Sequence, residues 1–342
     1  MPTLYIAGAS SGAGTTAVST GIAMLLSTNG ADVALAKALR VGTLATPDED
    51  SAFHQSLFPN NATPVGWPAS VEHVPDASAL DRIIARLKET NLPSGLAIVE
   101  GVSGDILEEE RYRIDASLAE ALDARVIIVS SCALLTPSPV TGIFGERLVG
   151  TIINRVPDYG RHEAETALAS MYQLQGISVL GLLPESRRML APTVGAIAEH
   201  LGADLINRSA LTSPETQLGQ LVEHFMLGGL FLDQGSYVFG RRQDKAVIVR
   251  GDRPDLQMAA LDTSTACLIL TNGKTPVQYI AHHAELRQTP MLATTSSTLE
   301  TMDLLHSIGE RATVHSPHKA RRFAELLEAH CDLGSLTAQA AT

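Results

Sequence analysis

Gly8-Ala-Ser-Ser-Gly-Ala-Gly-Thr-Thr16 decides how the amino-terminal half of the chain folds. The run follows a short apolar stretch, residues 4–7, and opens a helix-like stretch, residues 16–27. In a strand–loop–helix setting, successive backbone N–H groups and a helix N-terminus form a ready anion site. The plain alternative is a tight turn without a ligand. Three glycines within residues 8–14, at the carboxyl end of a parallel strand, favour the ligand.

Outward from this loop, apolar runs at 33–36, 96–99, 126–130, 149–153 and 179–182 alternate with helical patterns at 81–89, 114–122, 163–173 and 194–201. Unbroken apolar strands between amphipathic helices predict an α/β fold, a mostly parallel sheet with helices on both faces. Residues 58–75 hold four prolines and read as an irregular excursion at the sheet edge. The pattern breaks over 208–245, where a helix is expected at 217–225 and a glycine-rich connection at 227–240. A second alternation follows, with strands at 246–249, 267–270, 291–293 and near Thr313, and helices at 254–262, 277–286, 298–308 and 320–330. The expected organisation is a first domain over 1–207, a linker over 208–245, a smaller α/β domain over 246–333 and a frayed tail over 334–342.

The 342 residues suit two domains, and 45% hydrophobic content with a mean hydropathy of +0.11 argues against disorder. Lys and Arg total 25 against 37 Asp and Glu, a net charge of −12 that repels a phosphate backbone and argues against nucleic acid. Three cysteines without a CxxC give no disulfide framework or zinc ribbon. With no basic leader and no apolar run of membrane-spanning length, the expectation is a cytoplasmic protein with no membrane partner.

Three chemistries compete for the glycine loop. Gly8-Ala9-Ser10-Ser11-Gly12 matches the nucleophile elbow G-x-S-x-G, but that elbow needs a sheet built before it, and only seven residues precede this one. Gly8, Gly12 and Gly14 also resemble the cofactor turn of short-chain dehydrogenases, with Arg40 available to a 2′-phosphate. Their Tyr-x-x-x-Lys dyad is absent, because the residue four past each tyrosine is Ala9, Ala116, Glu163, Gly176, Arg241 or His283. An NAD(P) reductase therefore stays a lesser alternative. Counted from Ala9, the loop is a P-loop, A-x-x-x-x-G-x-T, with the Thr16 hydroxyl suited to Mg²⁺ and Thr15 standing where lysine belongs. Losing that lysine removes a charge-assisted bond worth ~1.5–3 kcal/mol.

Further landmarks resemble dethiobiotin synthetase and the cobyrinic acid a,c-diamide synthase group. Ala36-Lys37-Ala38 stands where that family has a Lys-Pro pair near the phosphates. Pro47-Asp48-Glu49-Asp50 is the acidic stretch, and Glu100-Gly101-Val102-Ser103-Gly104 resembles the segment whose Glu helps hold Mg²⁺. Asn154 matches the strand-end Asn that reads the base, and Gly181-Leu182-Leu183-Pro184 the Gly-x-x-Pro. The resemblance implies phosphate binding by Gly12, Ala13, Gly14, Thr15 and Thr16, with help from Lys37, and Mg²⁺ held by Thr16, Asp50 and Glu100. Hard oxygen ligands at the carboxyl ends of parallel strands suit that ion. For Asp48–Asp50 a solvated loop is equally open; Glu100, an acid closing an apolar strand, needs a partner.

Asp252-Arg253, followed by Thr271-Asn272-Gly273, resembles the DRTGG domain, with Asn272 in place of a glycine. A synthetase-like P-loop domain followed by DRTGG is the layout of the amino-terminal half of long phosphotransacetylases, a branch in which the P-loop lysine is often missing. Their acetyl-transferring domain would need several hundred residues beyond Thr342. The resemblance thus implies a stand-alone regulatory half that senses ATP, another nucleotide or a metabolite, forms a homo-oligomer and serves a metabolic enzyme. The enzyme alternative is an ATP-dependent ligase of the dethiobiotin or cobyrinate type. Elsewhere, His282-His283 reads as a surface pair, Glu108–Glu110 as a helix start or solvated face, and Arg187-Arg188 as an anion contact or an exposed pair. Asp252 and Arg253 read as a mutual ion pair capping a helix or as a ligand contact.

Overall fold

In the computed structural model, the described residues are 3–43, 48–59, 69–89, 95–104, 106–132, 142–229 and 235–332. Contacts divide the chain into two units: residues up to Ser186 together with the segment from Val314 onward, and Arg187–Thr313. The first unit is built on six parallel strands, β1 (Thr3–Gly8), β2 (Val33–Lys37), β3 (Leu96–Glu100), β4 (Arg125–Ser131), β5 (Leu148–Val156) and β6 (Val179–Pro184). Their order in the sheet is β2-β3-β1-β4-β5-β6. All six positions of β1 are buried, which is why it reads as an unbroken apolar run. Helices α1 (Thr15–Thr28), α2 (Glu49–Leu57), α3 (Ala77–Glu89) and α4 (Glu108–Ala121) belong to this unit. Glu108–Glu110 start α4, where acids suit the helix dipole. Residues 60–68 of the proline-rich stretch lie outside the described residues, and Ala69–Val71 forms a short parallel sheet with Leu39–Val41 and Ser103–Gly104.

One buried group has no apolar reason to be where it is. Asp115, fully buried on α4, accepts from the Tyr5 hydroxyl at 2.7 Å and the Val102 N–H at 2.9 Å through a single oxygen, and its other oxygen has no hydrogen-bond partner. Burial pushes its pKa up to about 6, against the pull of those two donors. A carboxyl raised in the folded state is neutral there while ionised in the unfolded chain, so stability is lost as pH rises from about 4 to about 6. Asp115→Asn is expected to remove that loss, on the order of 3 kcal/mol. Urea unfolding of both proteins at pH 4 and pH 7 checks it, and parallel profiles would refute the assignment.

The second unit holds β7 (Asp204–Leu205), β8 (His224–Leu227), β9 (Lys245–Arg250), β10 (Thr265–Thr271) and β11 (Met291–Ala293), in the order β7-β11-β10-β9-β8, parallel except for β7. Its main helices are α5 (Val194–Leu201), α6 (Pro254–Leu261), α7 (Gln278–Leu286) and α8 (Thr298–His306). Thr193 caps α5 by accepting from the Ala196 N–H, and a Ser297/Glu300 capping box starts α8. The helix expected at 217–225 is not formed. A short helix, Pro214–Leu218, stops at Gly219, and His224–Leu227 pairs beside β9 as the edge strand. Leu218, Leu221, Val222 and Phe225 keep the i, i+3, i+4, i+7 spacing of a helix although they fall in a helix end, the connection after it and the strand, and that misled the periodicity. The strand expected near Thr313 is also absent; a 3₁₀ turn, Ile308–Arg311, precedes it.

Helix α9 (Pro317–His330) packs in the first unit, against α1 and β6, although it follows the second unit in sequence. A Cβ on Gly21 would lie 2.7 Å from Leu327 and 2.9 Å from Phe323, so the glycine lets the two helices approach closely. The expected smaller domain over 246–333 included this helix; the contact division sets it with the P-loop side.

Candidate functional site

β1 ends at Gly8 and α1 begins at Thr15, so residues 9–14 form a loop at the carboxyl edge of a parallel sheet. The loop is pinned from three sides. The Ala9 N–H donates to Val129 O at 2.8 Å, the Tyr112 hydroxyl donates to Ala9 O, and Asn154 Nδ2 donates to Ala13 O at 3.0 Å. Gly14 is the N-cap of α1, with φ 101°, and no side chain caps the helix there. A Cβ on it would fall 2.4 Å from Asn154 Nδ2. The first-turn amides of α1 have no intrahelical acceptor, so they face the space that an anion would fill.

Beside the loop, the strand register sets Glu100 level with Ile6 on one side and Lys37 on the other. Glu100 Oε1 accepts from Thr16 Oγ1 at 2.6 Å and from Thr15 Oγ1 at 3.2 Å. Its other oxygen is buried without a hydrogen-bond partner, and the whole residue is only 2% exposed. Burial, opposed by Lys37, raises its carboxyl pKa to about 7. A Cβ on Gly101 would lie 2.6 Å from Asp115 Oδ1, so the residue after Glu100 has to be small.

Lys37, 1% exposed, donates to Asp50 Oδ2 and, at 3.3 Å, to Asp48 Oδ1. Burial lowers its pKa, but Glu100, Asp50 and Asp48 together outweigh that and hold it above normal. Asp48 is also the N-cap of α2, accepting from Ser51 N at 2.8 Å and Ser51 Oγ at 2.6 Å. Asp50 takes a second partner, His315 Nε2, at 2.7 Å on Oδ1. Burial of Asp50 is outweighed by the hydrogen bonds from His315 and Lys37, which hold its carboxyl well below the usual range. Glu100 and Asp50 therefore differ as ligands: one has an open oxygen, whereas both oxygens of the other are engaged.

Two histidines complete the cluster. His54, one turn past Asp50 on α2, is buried, with neither ring nitrogen hydrogen-bonded and Nε2 3.8 Å from Glu100 Oε2. Burial lowers its pKa to about 4. His315 comes from the segment ahead of α9, its ring 5.4 Å from that of Phe53. Neither was among the sequence candidates. His54 carried a weak signal, one helical turn from Asp50; His315, 265 residues from Asp50, carried none.

The donor set tests the expected Mg²⁺. A hydroxyl beside a carboxylate with a buried, unpartnered oxygen offers hard ligands, and the residues fit the ion at Thr16 and Glu100. Among the described residues, no three His, Cys, Asp or Glu side chains converge on a metal site. Asn154, expected to read the base, spends Nδ2 on Ala13 O and Oδ1 on the Arg155 N–H at 2.9 Å, so it shapes the loop. Past it, Cys132, Arg155, Tyr159, Leu168, Met171 and Glu185 line a cavity of about 520 Å³.

In the second unit, Asp252 and Arg253 do not pair with each other. Arg250 pairs with Asp252 at 2.6 Å and Arg253 with Asp255 at 2.7 Å. Thr271 is buried and its hydroxyl lies 2.8 Å from that of Thr298, tying the end of β10 to the start of α8. Asn272 and Gly273 both have positive φ, 65° and 61°, and donate to Ser296 O and Thr294 O. Asparagine tolerates that left-handed position best after glycine, which accounts for Asn272. His283 pairs with Asp262 at 3.1 Å and Arg188 with Glu223 at 3.6 Å.

A glycine loop between a buried strand and a helix, with a hydroxyl at its end facing an acid, defines the P-loop class. Residues 2–193 match the family model of an AAA domain and residues 196–308 that of a DRTGG domain; the chain belongs to this AAA-domain family and carries a DRTGG domain after it. It is 23% identical to a phosphate acetyltransferase of Deinococcus radiodurans, over 99% of this chain and 51% of that protein. It is 29% identical to the hydrogenobyrinate a,c-diamide synthase of Thermobifida fusca, over 59% of this chain and 41% of that one. Among solved structures, MinD from Aquifex aeolicus aligns at a TM-score of 0.37 and 14% identity, over 56% of this chain and 85% of the other. The chain spans about half the length, or less, of the curated relatives it matches. No helix among the described residues is long and apolar enough to cross a membrane.

Proposed function

We propose that this protein binds a nucleotide such as ATP with Mg²⁺ at the P-loop and serves as a sensing module, with no rapid phosphoryl transfer. In this reading the amides of Gly12, Ala13, Gly14, Thr15 and Thr16 hold the phosphates, and Thr16 and Glu100 hold Mg²⁺, which would neutralise phosphate charge. Asp50 would join them only after giving up a present partner. The base is assigned to the cavity past Asn154. The observation that carries the reading is at Thr15. The position that should project a lysine onto the phosphates instead donates a hydroxyl to Glu100, and the nearby Lys37 is already engaged by Asp48 and Asp50.

A regulatory role within a phosphate acetyltransferase-like system, homo-oligomer assembly and a metabolic enzyme as partner belong to the same proposal. A ligase of the diamide synthase type is the second reading, favoured by the buried Lys37 beside Glu100. Turnover separates the two. The natural protein is expected to hydrolyse ATP no faster than background with any carboxylate or amine acceptor. Thr15→Lys is expected to tighten nucleotide binding roughly 10- to 100-fold, the worth of one charge-assisted bond, with no gain in turnover. Acceptor-dependent ATP consumption by the natural protein would establish the ligase instead.

A further inference from the structure

Both oxygens of Asp50 are taken, and one is taken by a residue from the far end of the chain. His315 Nε2 sits 2.7 Å from Asp50 Oδ1, its Nδ1 lies 3.6 Å from Glu49 Oε2, and its ring packs on Phe53. The contact is half-buried, with 22% of the His315 side chain exposed. Asp50 thus stands between two donors, Lys37 from β2 and His315 from the returning segment. Directly beside this group lie the unpartnered Glu100 oxygen and the unpartnered ring of His54, both buried. A pair of engaged acids next to an unsatisfied acid and imidazole describes a site with one half closed by the chain itself.

Resting on the nucleotide reading above, we propose that His315 is an internal latch. It occupies the Asp50 oxygen that an incoming Mg²⁺–nucleotide would claim, so that binding displaces His315 and loosens the segment leading into α9. His315 lies two residues past Thr313, where the second unit ends. The latch therefore sits just past the chain exit from the DRTGG-containing unit. A latch of this kind lowers apparent affinity by the fraction of molecules in which it is closed.

Calorimetry with Mg²⁺-ATP on the full chain tests the latch, using the natural protein, His315→Ala and His315→Gln. Expected is roughly tenfold tighter binding by His315→Ala, with His315→Gln, which keeps a neutral donor, in between. In the natural protein, hydrogen exchange at residues 315–320 is expected to speed up when Mg²⁺-ATP is added. His315→Gln fills similar space, so it carries the test if the alanine variant melts early. If the natural protein binds and both variants bind equally or more weakly, the latch is wrong while the nucleotide reading stands. If none of the three binds at millimolar nucleotide, the nucleotide reading is wrong and the latch falls with it.

Discussion

Replacing Gly14 by alanine is expected to abolish nucleotide binding while leaving a folded protein. Gly14 holds φ 101°, beyond the left-handed well that side chains tolerate, and an added Cβ would fall 2.4 Å from Asn154 Nδ2. The backbone strain alone costs about 1–3 kcal/mol. The clash cannot be relieved cheaply, because Asn154 is itself fixed by the bond it donates to Ala13 O. The loop has to shift, and the amides aimed at the phosphates shift with it. Two misplaced phosphate bonds at ~1.5–3 kcal/mol each amount to a loss of at least about 100-fold in affinity. A fall in melting temperature of roughly 5 °C should accompany it. An alanine variant that binds Mg²⁺-ATP as tightly as the natural protein would remove the P-loop from the site.

Glu100→Gln is expected to act in opposite directions on stability and on binding. The carboxyl is buried, has one oxygen unpartnered, and titrates near 7 instead of near 4.5. A folded-state pKa raised this far means stability is progressively lost as pH rises from about 4.5 to about 7, by up to an order of 3 kcal/mol. Glutamine carries no charge and escapes that loss, so the variant should be more stable at pH 8 and nearly equal at pH 4. In the proposed reading the same substitution also removes the anionic Mg²⁺ ligand, so the gain in nucleotide affinity on adding Mg²⁺ should largely vanish. Thermal melts at the two pH values and binding with and without EDTA read the two effects separately. A residue that costs stability without ligand and supports binding with it is what a functional site requires. A variant that is less stable at pH 8 and keeps its Mg²⁺ dependence would show Glu100 to be structural.

Local signals made the glycine loop legible. A strand, a glycine run and a helix are adjacent in sequence, and the reading needs no distant partner. Glu100 was legible because an acid closing an apolar strand contradicts its surroundings. The DRTGG turn was legible too, and Asn272 shows why a departure from the family pattern is tolerated: its φ of 65° suits Asn as well as Gly. What was hidden depends on contacts that no local pattern encodes. The Asp50–His315 pair joins residues 265 apart. Helix α9 reads as the close of the second alternation, and its apolar residues do not say which unit they bury against. The strand His224–Leu227 was hidden for a different reason: Phe225 continues a helical spacing that begins at Leu218.

The engaged carboxylates also explain why Asp50 was harder to judge than Glu100. Its sequence setting, an acidic loop after the second strand, fits either a metal ligand or a solvated turn. The structure divides the roles: Asp48 caps α2 and shares Lys37 with Asp50, and Asp50 also holds His315.

Titration calorimetry of the 342-residue chain with Mg²⁺-ATP, repeated in excess EDTA, bears most directly on the central claim that this loop is a Mg²⁺–nucleotide site. Saturable binding of one nucleotide per chain, markedly weakened by EDTA and absent in Gly14→Ala, is the expected result. No saturable heat at millimolar Mg²⁺-ATP, or binding unchanged by both EDTA and Gly14→Ala, would contradict it.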